Sequence, residues 1–236
     1  MTEAPNADSI REISELSADQ LRAHQIQILR SAERTRGDVL LVEIDGNRAV
    51  LKDYSNANAG FAKFLGPFLA YREAKALIAL GDVAAVPELI SRPSSRSLLM
   101  TYLPGRRLRD AGAGFDWVEY LRRCESAVAA LHRRGVVHGD LRNATNVLID
   151  DSDQPVFVDL VSAVHRGKKW NPLGKLLFAQ CQRLDFGAMH KLREKYASQT
   201  LTAADRSEWN RRGLLERTAR YLSGLVRQIV ERIFRI

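Results

Sequence analysis

The chain has 236 residues, 45% hydrophobic and 27% charged, with a formal net charge of +8. That composition supports one sizeable core or two small lobes sharing a cleft, and it excludes a wholly disordered chain. No apolar run approaches the roughly 18 residues of a membrane span, and Cys124 and Cys181, far apart in sequence, suit neither a disulfide framework nor a zinc site with close ligand pairs.

Residues 1–20 are polar and acidic and lack the basic and then apolar stretches of a signal peptide; they read as an N-terminal arm or a short helix. Val39-Leu40-Leu41-Val42-Glu43-Ile44 reads as a strand, Asp45-Gly46-Asn47 as a turn, and Arg48-Ala49-Val50-Leu51-Lys52-Asp53 as the returning strand of a hairpin. From Phe61 to Leu80, residues Leu69, Arg72, Glu73, Ala76, Leu77 and Leu80 recur at helical spacing; Gly66-Pro67 suits the start of the main helical part and Gly81 its end. Ser97-Leu98-Leu99-Met100-Thr101-Tyr102 reads as a buried strand with Leu103-Pro104-Gly105 as its exit. Asp116 to Arg134 predicts a helix whose stripe is Trp117, Leu121, Cys124, Val128 and Leu131, stopped by Gly135. On that stripe Cys124 reads as a buried free thiol, which fits a reducing cytoplasm.

Val136 to Asn146 is a polar loop. Val147-Leu148-Ile149 and Val156-Phe157-Val158 read as two short strands joined by the turn Asp150 to Pro155. The remainder is basic and mainly helical: from Val164 to Ile236 there are 16 Lys or Arg against 6 Asp or Glu. Such a face attracts phosphate-rich partners, though a solvated surface has the same composition. Leu215, Ala219, Leu222, Val226, Ile229, Ile233 and Ile236 form one helical stripe flanked by arginines. It reads as a closing helix, as a basic amphipathic helix on an anionic membrane surface, or as a partner seam. At 7% aromatic residues the chain lacks the interleaved rings of a nucleic-acid stacking surface, which argues against nucleic acid as a partner. Strands first and helices later predict an α+β chain of two lobes.

The polar residues at the strand and helix ends are Lys52, Glu73, Asp140, Asn146 and Asp159. Phosphoryl transfer needs a cation for the nucleotide phosphates, oxygen ligands for magnesium, and a carboxylate to accept the proton of the attacking hydroxyl. The order hairpin-lysine, helix-glutamate, His138-Gly139-Asp140-Leu141, Asn146 and then Asp159 after a hairpin resembles the protein-kinase-like superfamily. Within it the chain is most similar to bacterial lipopolysaccharide-kinase-like (Kdo or heptose kinase) and RIO-like proteins. They share the His-Gly-Asp-Leu form, and Tyr71-Arg72-Glu73-Ala74-Lys75-Ala76-Leu77 with Val86-Pro87-Glu88-Leu89 also looks like that group.

The resemblance implies a bilobal kinase-like fold, with an arm at 1–20, an N-lobe at 21–103, a C-lobe at 104–213 and a basic amphipathic helix at 214–236. It implies ATP and Mg2+ as cofactors. Lys52 would grip the phosphates and Glu73 would orient Lys52; Asp140 would accept the substrate proton, and Asn146 and Asp159 would ligate magnesium. Arg142 would neutralise the transferring phosphoryl group, and His138 would brace the loop. Backbone amides near Gly37 would cover the nucleotide. Met100 and Tyr102 fall in Leu98-Leu99-Met100-Thr101-Tyr102-Leu103-Pro104-Gly105, which looks like the nucleotide-binding hinge. The implied acceptor is a sugar hydroxyl of lipopolysaccharide core or a related glycolipid, at the cytoplasmic face of the membrane. The alternatives are a RIO-like protein Ser/Thr kinase and a pseudokinase acting as a nucleotide-dependent binding module.

Three departures from the family pattern stand out. Asn146 lies one position later than is usual after the catalytic aspartate, and Asn143 competes for its role. Only one glycine, in Arg36-Gly37-Asp38, stands where a glycine-rich loop is usual. Asp159 is followed by Leu160-Val161, whereas the literal Asp185-Phe186-Gly187 comes too late; there Phe186 reads as packing and Asp185 as a cap or structural contact. Gly139 stands where regulated kinases carry an arginine that pairs with a phosphorylated loop.

Overall fold

The computed structural model describes residues 12–167 and 172–201. By packing the chain divides into two units: residues to Pro104 with Val156–Ala163, and Gly105–Pro155 with the residues from Val164 onward. Residues 1–11 of the expected arm, Lys168-Lys169-Trp170, and the C-terminal stripe 215–236 lie outside the described residues.

The first unit is built on a five-stranded antiparallel sheet in the order β1-β2-β3-β5-β4. Its strands are β1 (Gln25–Arg30), β2 (Asp38–Ile44), β3 (Asn47–Asp53), β4 (Leu89–Ser94) and β5 (Ser97–Thr101). Asp45 and Gly46, at φ 50° and 77°, turn β2 into β3. Positive φ at both central residues gives the turn a twist that matches the flanking strands. Side chains alternate between the faces. Leu40, Val42, Ala49, Leu51 and Leu99 share one face and form a core with Ile13 and with Leu21 of helix α1 (Ala18–Ala23). Residues 12–20, expected as part of a polar arm, therefore contribute Ile13, only 3% exposed, to that core. Helix α1 is closed by a capping box between Ser17 and Gln20.

The sequence pattern overlooked β1 and β4, and both are sheet edges. An edge strand need not alternate cleanly: β1 is exposed at nearly every residue, and β4 contains Pro93, whose missing N–H is tolerated at an edge. The predicted helix over 61–80 is two helices, α2 (Ala59–Phe64) and α3 (Gly66–Leu80), with Pro67 in the first turn of α3 and Gly81 at φ 50° after its end. Helix α3 packs on β4 and β5 and buries Ala70, Glu73, Ala74, Ala76, Leu77 and Leu80.

The second unit is mainly helical. Helix α4 (Trp117–Arg133) starts where the Asp116 side chain accepts the Glu119 N–H at 3.0 Å and ends before Gly135, at φ 77°. Its stripe Leu121, Cys124, Val128 and Leu131 is buried, and it packs on helix α5 (Pro172–Tyr196). Burial pushes the Cys124 thiol up to about 12, the state of an unreactive core thiol. Two short ladders frame the loop between them: β6 (Arg106–Arg107) pairs with β8 (Val147–Ile149), and β7 (Val136–Val137) with β10 (Val164–His165). After β8 the Asp150 carboxylate accepts the Ser152 and Gln154 N–H groups at 2.8 and 2.7 Å. That turn leads to β9 (Pro155–Phe157) at the boundary between the units. No helix among the described residues is long and apolar enough to cross a membrane.

Candidate functional site

In the first unit, one register step separates Lys52 from the core-facing Leu51, so Lys52 points to the opposite face of the sheet. There it is 3% exposed, with its Nζ 2.7 Å from Glu73 Oε2 and 2.6 Å from Asp159 Oδ1. A buried ammonium survives only if it is paired. Burial pulls the Lys52 pKa down, but Glu73, then Tyr54 and Asp159, push harder, and the net shift is upward. Burial lifts the Glu73 carboxyl above its ordinary value, and Lys52 opposes that lift.

Two residues of α3 dock the segment after Asp159. Glu73 Oε1 accepts the Leu160 N–H at 3.2 Å, and Arg72 Nη2 donates to the Ala163 carbonyl at 2.9 Å. Asp159 itself holds a left-handed backbone, φ 66° and ψ 65°, uncommon for a residue with a side chain. Arg30, the last residue of β1, places Nη1 3.5 Å from Asp159 Oδ2.

In the second unit the loop after β7 carries Asp140. Gly139 takes φ 83°, a conformation that suits glycine. The Asp185 carboxylate of α5, 1% exposed, accepts the His138 N–H at 2.8 Å and the Gly139 N–H at 2.9 Å, and lies 3.0 Å from His132 Nε2. His138 is fully buried, and its Nδ1 accepts the Asp140 N–H at 3.4 Å. The two asparagines part company here. Asn143 is exposed and its side chain caps a 3-10 turn, accepting from Thr145 Oγ1 at 2.8 Å. Asn146, 3% exposed, donates from Nδ2 to Asp140 Oδ2 at 3.1 Å and to the Asp140 carbonyl at 3.0 Å. Arg142 is partly buried.

No protein-family model matches the sequence, and no curated protein matches it. Among solved structures it is similar to the Rio2 kinase from Chaetomium thermophilum, described as an ADP/Mg2+-phosphoaspartate complex. That likeness covers 80% of this chain and 64% of that one, at 18% identity and a TM-score of 0.55. A second structure of the same kinase matches over 92% of this chain and 82% of that one, at 16% identity and a TM-score of 0.50. The chain has a protein-kinase-like fold. It spans less than two thirds of the first of those two structures, at 64%.

Within the kinase-like fold, the first unit brings together Lys52, Glu73 and Asp159, and the second brings together Asp140 and Asn146. Met100 is buried on β5 opposite Val50, and Tyr102 lies partly exposed just past the end of β5. Gly37, expected near the nucleotide, is also closely packed. A Cβ there would stand 2.5 Å from the Asp53 carbonyl oxygen and 3.0 Å from the Tyr54 ring, so glycine permits the close approach of the chain entering β2 to the end of β3. Neighbouring amides are also engaged: Arg36 N–H donates to the Glu33 carbonyl at 2.6 Å, Glu33 N–H to the Arg36 carbonyl at 3.1 Å, and Ala32 N–H to Asp38 Oδ1 at 2.7 Å.

Sequence reasoning missed Arg30, Arg72 and the reach of Asp185. Arg30 had no signal, because β1 was not recognised. Asp185 did have one: it is a charge on the buried helical stripe Phe178, Asp185, Ala188, Met189, Leu192. The expectation kept Asp185-Phe186-Gly187 out of the site. Asp185 makes a structural contact, accepting the two amides that precede Asp140, while Phe186 is 42% exposed with its ring edge-on to His132 at 5.1 Å.

The donor set fits a nucleotide with magnesium. Among the described residues no group of three or more His, Cys, Asp or Glu could hold a metal alone. Magnesium is commonly held by one or two protein oxygens together with substrate phosphates, and does not need an all-protein cage. The Asp159 carboxylate, 31% exposed, is such a hard oxygen donor.

Proposed function

We propose that the protein is an ATP-dependent phosphotransferase acting on an alcohol. The observation that carries this reading is the buried Lys52 ammonium held by Glu73 at 2.7 Å, with the Asp159 carboxylate 2.6 Å away. A lysine held so by a helix carboxylate is what a kinase-like fold requires of its phosphate grip.

Each unit supplies part of the chemistry. In the first, Lys52 binds nucleotide phosphates and Glu73 holds it in place. In the second, Asp140 accepts the proton of the attacking hydroxyl, and Asn146 fixes the Asp140 carboxylate through its Nδ2. Arg142, two residues on, is available to the transferring phosphoryl group. Asp159 in the first unit and, separately, Asn146 in the second each offer an oxygen to magnesium, which would supply charge neutralisation at the phosphates.

For the acceptor, the resemblance of His138-Gly139-Asp140-Leu141 and Tyr71 to Leu77 to lipopolysaccharide-kinase-like proteins favours a sugar hydroxyl of lipopolysaccharide core or a related glycolipid. That acceptor implies a cytoplasmic protein working at the inner membrane face. The structural likeness to Rio2 favours the second reading, a RIO-like protein Ser/Thr kinase.

The test is transfer from labelled ATP with Mg2+ to purified lipopolysaccharide core and, separately, to protein substrates. Wild type is run beside Asp140→Ala and Asp159→Ala. Label in the glycolipid, lost by a factor of 100 or more in both variants, is the expected result, since proton acceptance alone contributes roughly 10²–10⁴-fold. Label in protein only would replace the glycolipid acceptor with the RIO-like one. Nucleotide binding without any turnover would leave a binding module.

A further inference from the structure

Lys52 by itself does not match the charge of a nucleotide polyphosphate. Lys52 is a single ammonium shared between the Glu73 and Asp159 carboxylates, and it is almost wholly buried. In the loop 31–37 the Ala32, Glu33 and Arg36 amides are already donating within the loop and to Asp38. Its one glycine, Gly37, is packed against the Asp53 carbonyl. A nucleoside di- or triphosphate brings several negative charges and needs more donors than these.

Arg30 is placed to provide them. The register pairs Arg30 with Val39, and Val39 with Lys52, so Arg30 and Lys52 stand in one row across β1, β2 and β3 and share a face. Two strand spacings, about 10 Å, separate their backbones, yet their side chains meet on one carboxylate: Lys52 at Asp159 Oδ1, 2.6 Å, and Arg30 at Oδ2, 3.5 Å. The two contacts differ in kind. The Lys52 bond is short and buried, whereas Arg30 is 33% exposed, its contact is long, and its buried Nε has no hydrogen-bond partner.

The loop that follows Arg30 is held from the other face of the sheet. Arg22 of α1 clamps Asp53 and Asp38, both at 2.9 Å, and Asn56 Nδ2 donates to Asp38 at 2.9 Å. Asp38 in turn accepts the Ala32 N–H, two residues beyond Arg30. Arg30 thus projects from a strand end whose exit is fixed by side chains and not by glycines.

We propose that Arg30 is a second phosphate-binding cation, taking the polyphosphate of a nucleoside di- or triphosphate beside Lys52. This rests on the phosphotransferase reading above. The planar guanidinium offers paired N–H donors matched to phosphate oxygens, which an ammonium cannot. On binding, its donors pass from Asp159 to phosphate, which frees Asp159 Oδ2 for other ligands.

Calorimetric titration of the full chain with ADP and with adenosine, both with Mg2+, tests this on wild type, Arg30→Ala and Arg30→Lys. Wild type is expected to bind ADP more tightly than adenosine. Arg30→Ala is expected to weaken ADP about tenfold or more, the scale of a charge-assisted contact, with adenosine changed less than about twofold and melting temperature preserved. Arg30→Lys is expected to recover part of the loss. Unchanged ADP binding in Arg30→Ala overturns the assignment, as does an equal loss of ADP and adenosine. A wild type that binds neither ligand removes the phosphotransferase reading itself, and Arg30 with it.

Discussion

Replacing Asp185 by alanine removes a carboxylate that accepts two amides of the Asp140 loop. Asp185 is 1% exposed and receives the His138 and Gly139 amides at 2.8 and 2.9 Å, with His132 Nε2 at 3.0 Å. Alanine leaves two amides in or near the core with no acceptor. Each orphaned donor costs about 1–3 kcal/mol, and the void and the lost His132 contact add to it. The expected total is about 3–6 kcal/mol, a large part of the 5–15 kcal/mol typical of a folded protein. Asp185→Asn keeps the shape and one acceptor oxygen but turns an NH2 toward a donor, so about half of that loss is expected. Urea unfolding followed by circular dichroism measures both, with the slope checked against wild type. If Asp185→Ala lies within about 1 kcal/mol of wild type, the claim that these amides depend on Asp185 is refuted. A variant that stays folded is also expected to lose turnover with nucleotide binding retained, because the Asp185 bonds to His132, His138 and Gly139 all lie in the second unit.

Two further outcomes follow from the same kind of reasoning. Gly37→Ala places a Cβ 2.5 Å from the Asp53 carbonyl oxygen; backbone must move, and a loss of about 1–3 kcal/mol is expected in the same unfolding assay, whereas a melting temperature equal to wild type would show that the strands yield freely. Asp38 is lifted by burial but lowered more by Arg22, Ala32 N–H and Asn56, so its folded pKa lies below the ordinary 3.8. Its contribution is therefore complete above about pH 4 and is lost as pH falls through the depressed value; an acid unfolding profile that flattens in Asp38→Asn is expected, and an unchanged profile would count against it.

Much of the fold was legible because it is local. The Asp45-Gly46 turn, the stripe Leu121-Cys124-Val128-Leu131 and the Gly81 and Gly135 stops are decided by residues within a few positions of one another. The edges β1 and β4 were not legible, since an edge strand is only half constrained: one side lacks a partner, and exposure removes the alternation that marks a strand.

The candidate site divides in the same way. The residue types and order of Lys52, Glu73, Asp140, Asn146 and Asp159 are written in the sequence. Which atoms meet is not. Lys52 and Asp159 are 107 positions apart, and His138 and Asp185 are 47 apart. No local pattern encodes such pairings, because each forms only when its own unit has packed. Tertiary structure alone chose Asn146 over Asn143 as the partner of Asp140, gave Gly37 a packing reason, and brought Arg30 to Asp159 through the register of three strands. The sequence determined the chemistry available to this protein; burial and register decided which of those groups face one another.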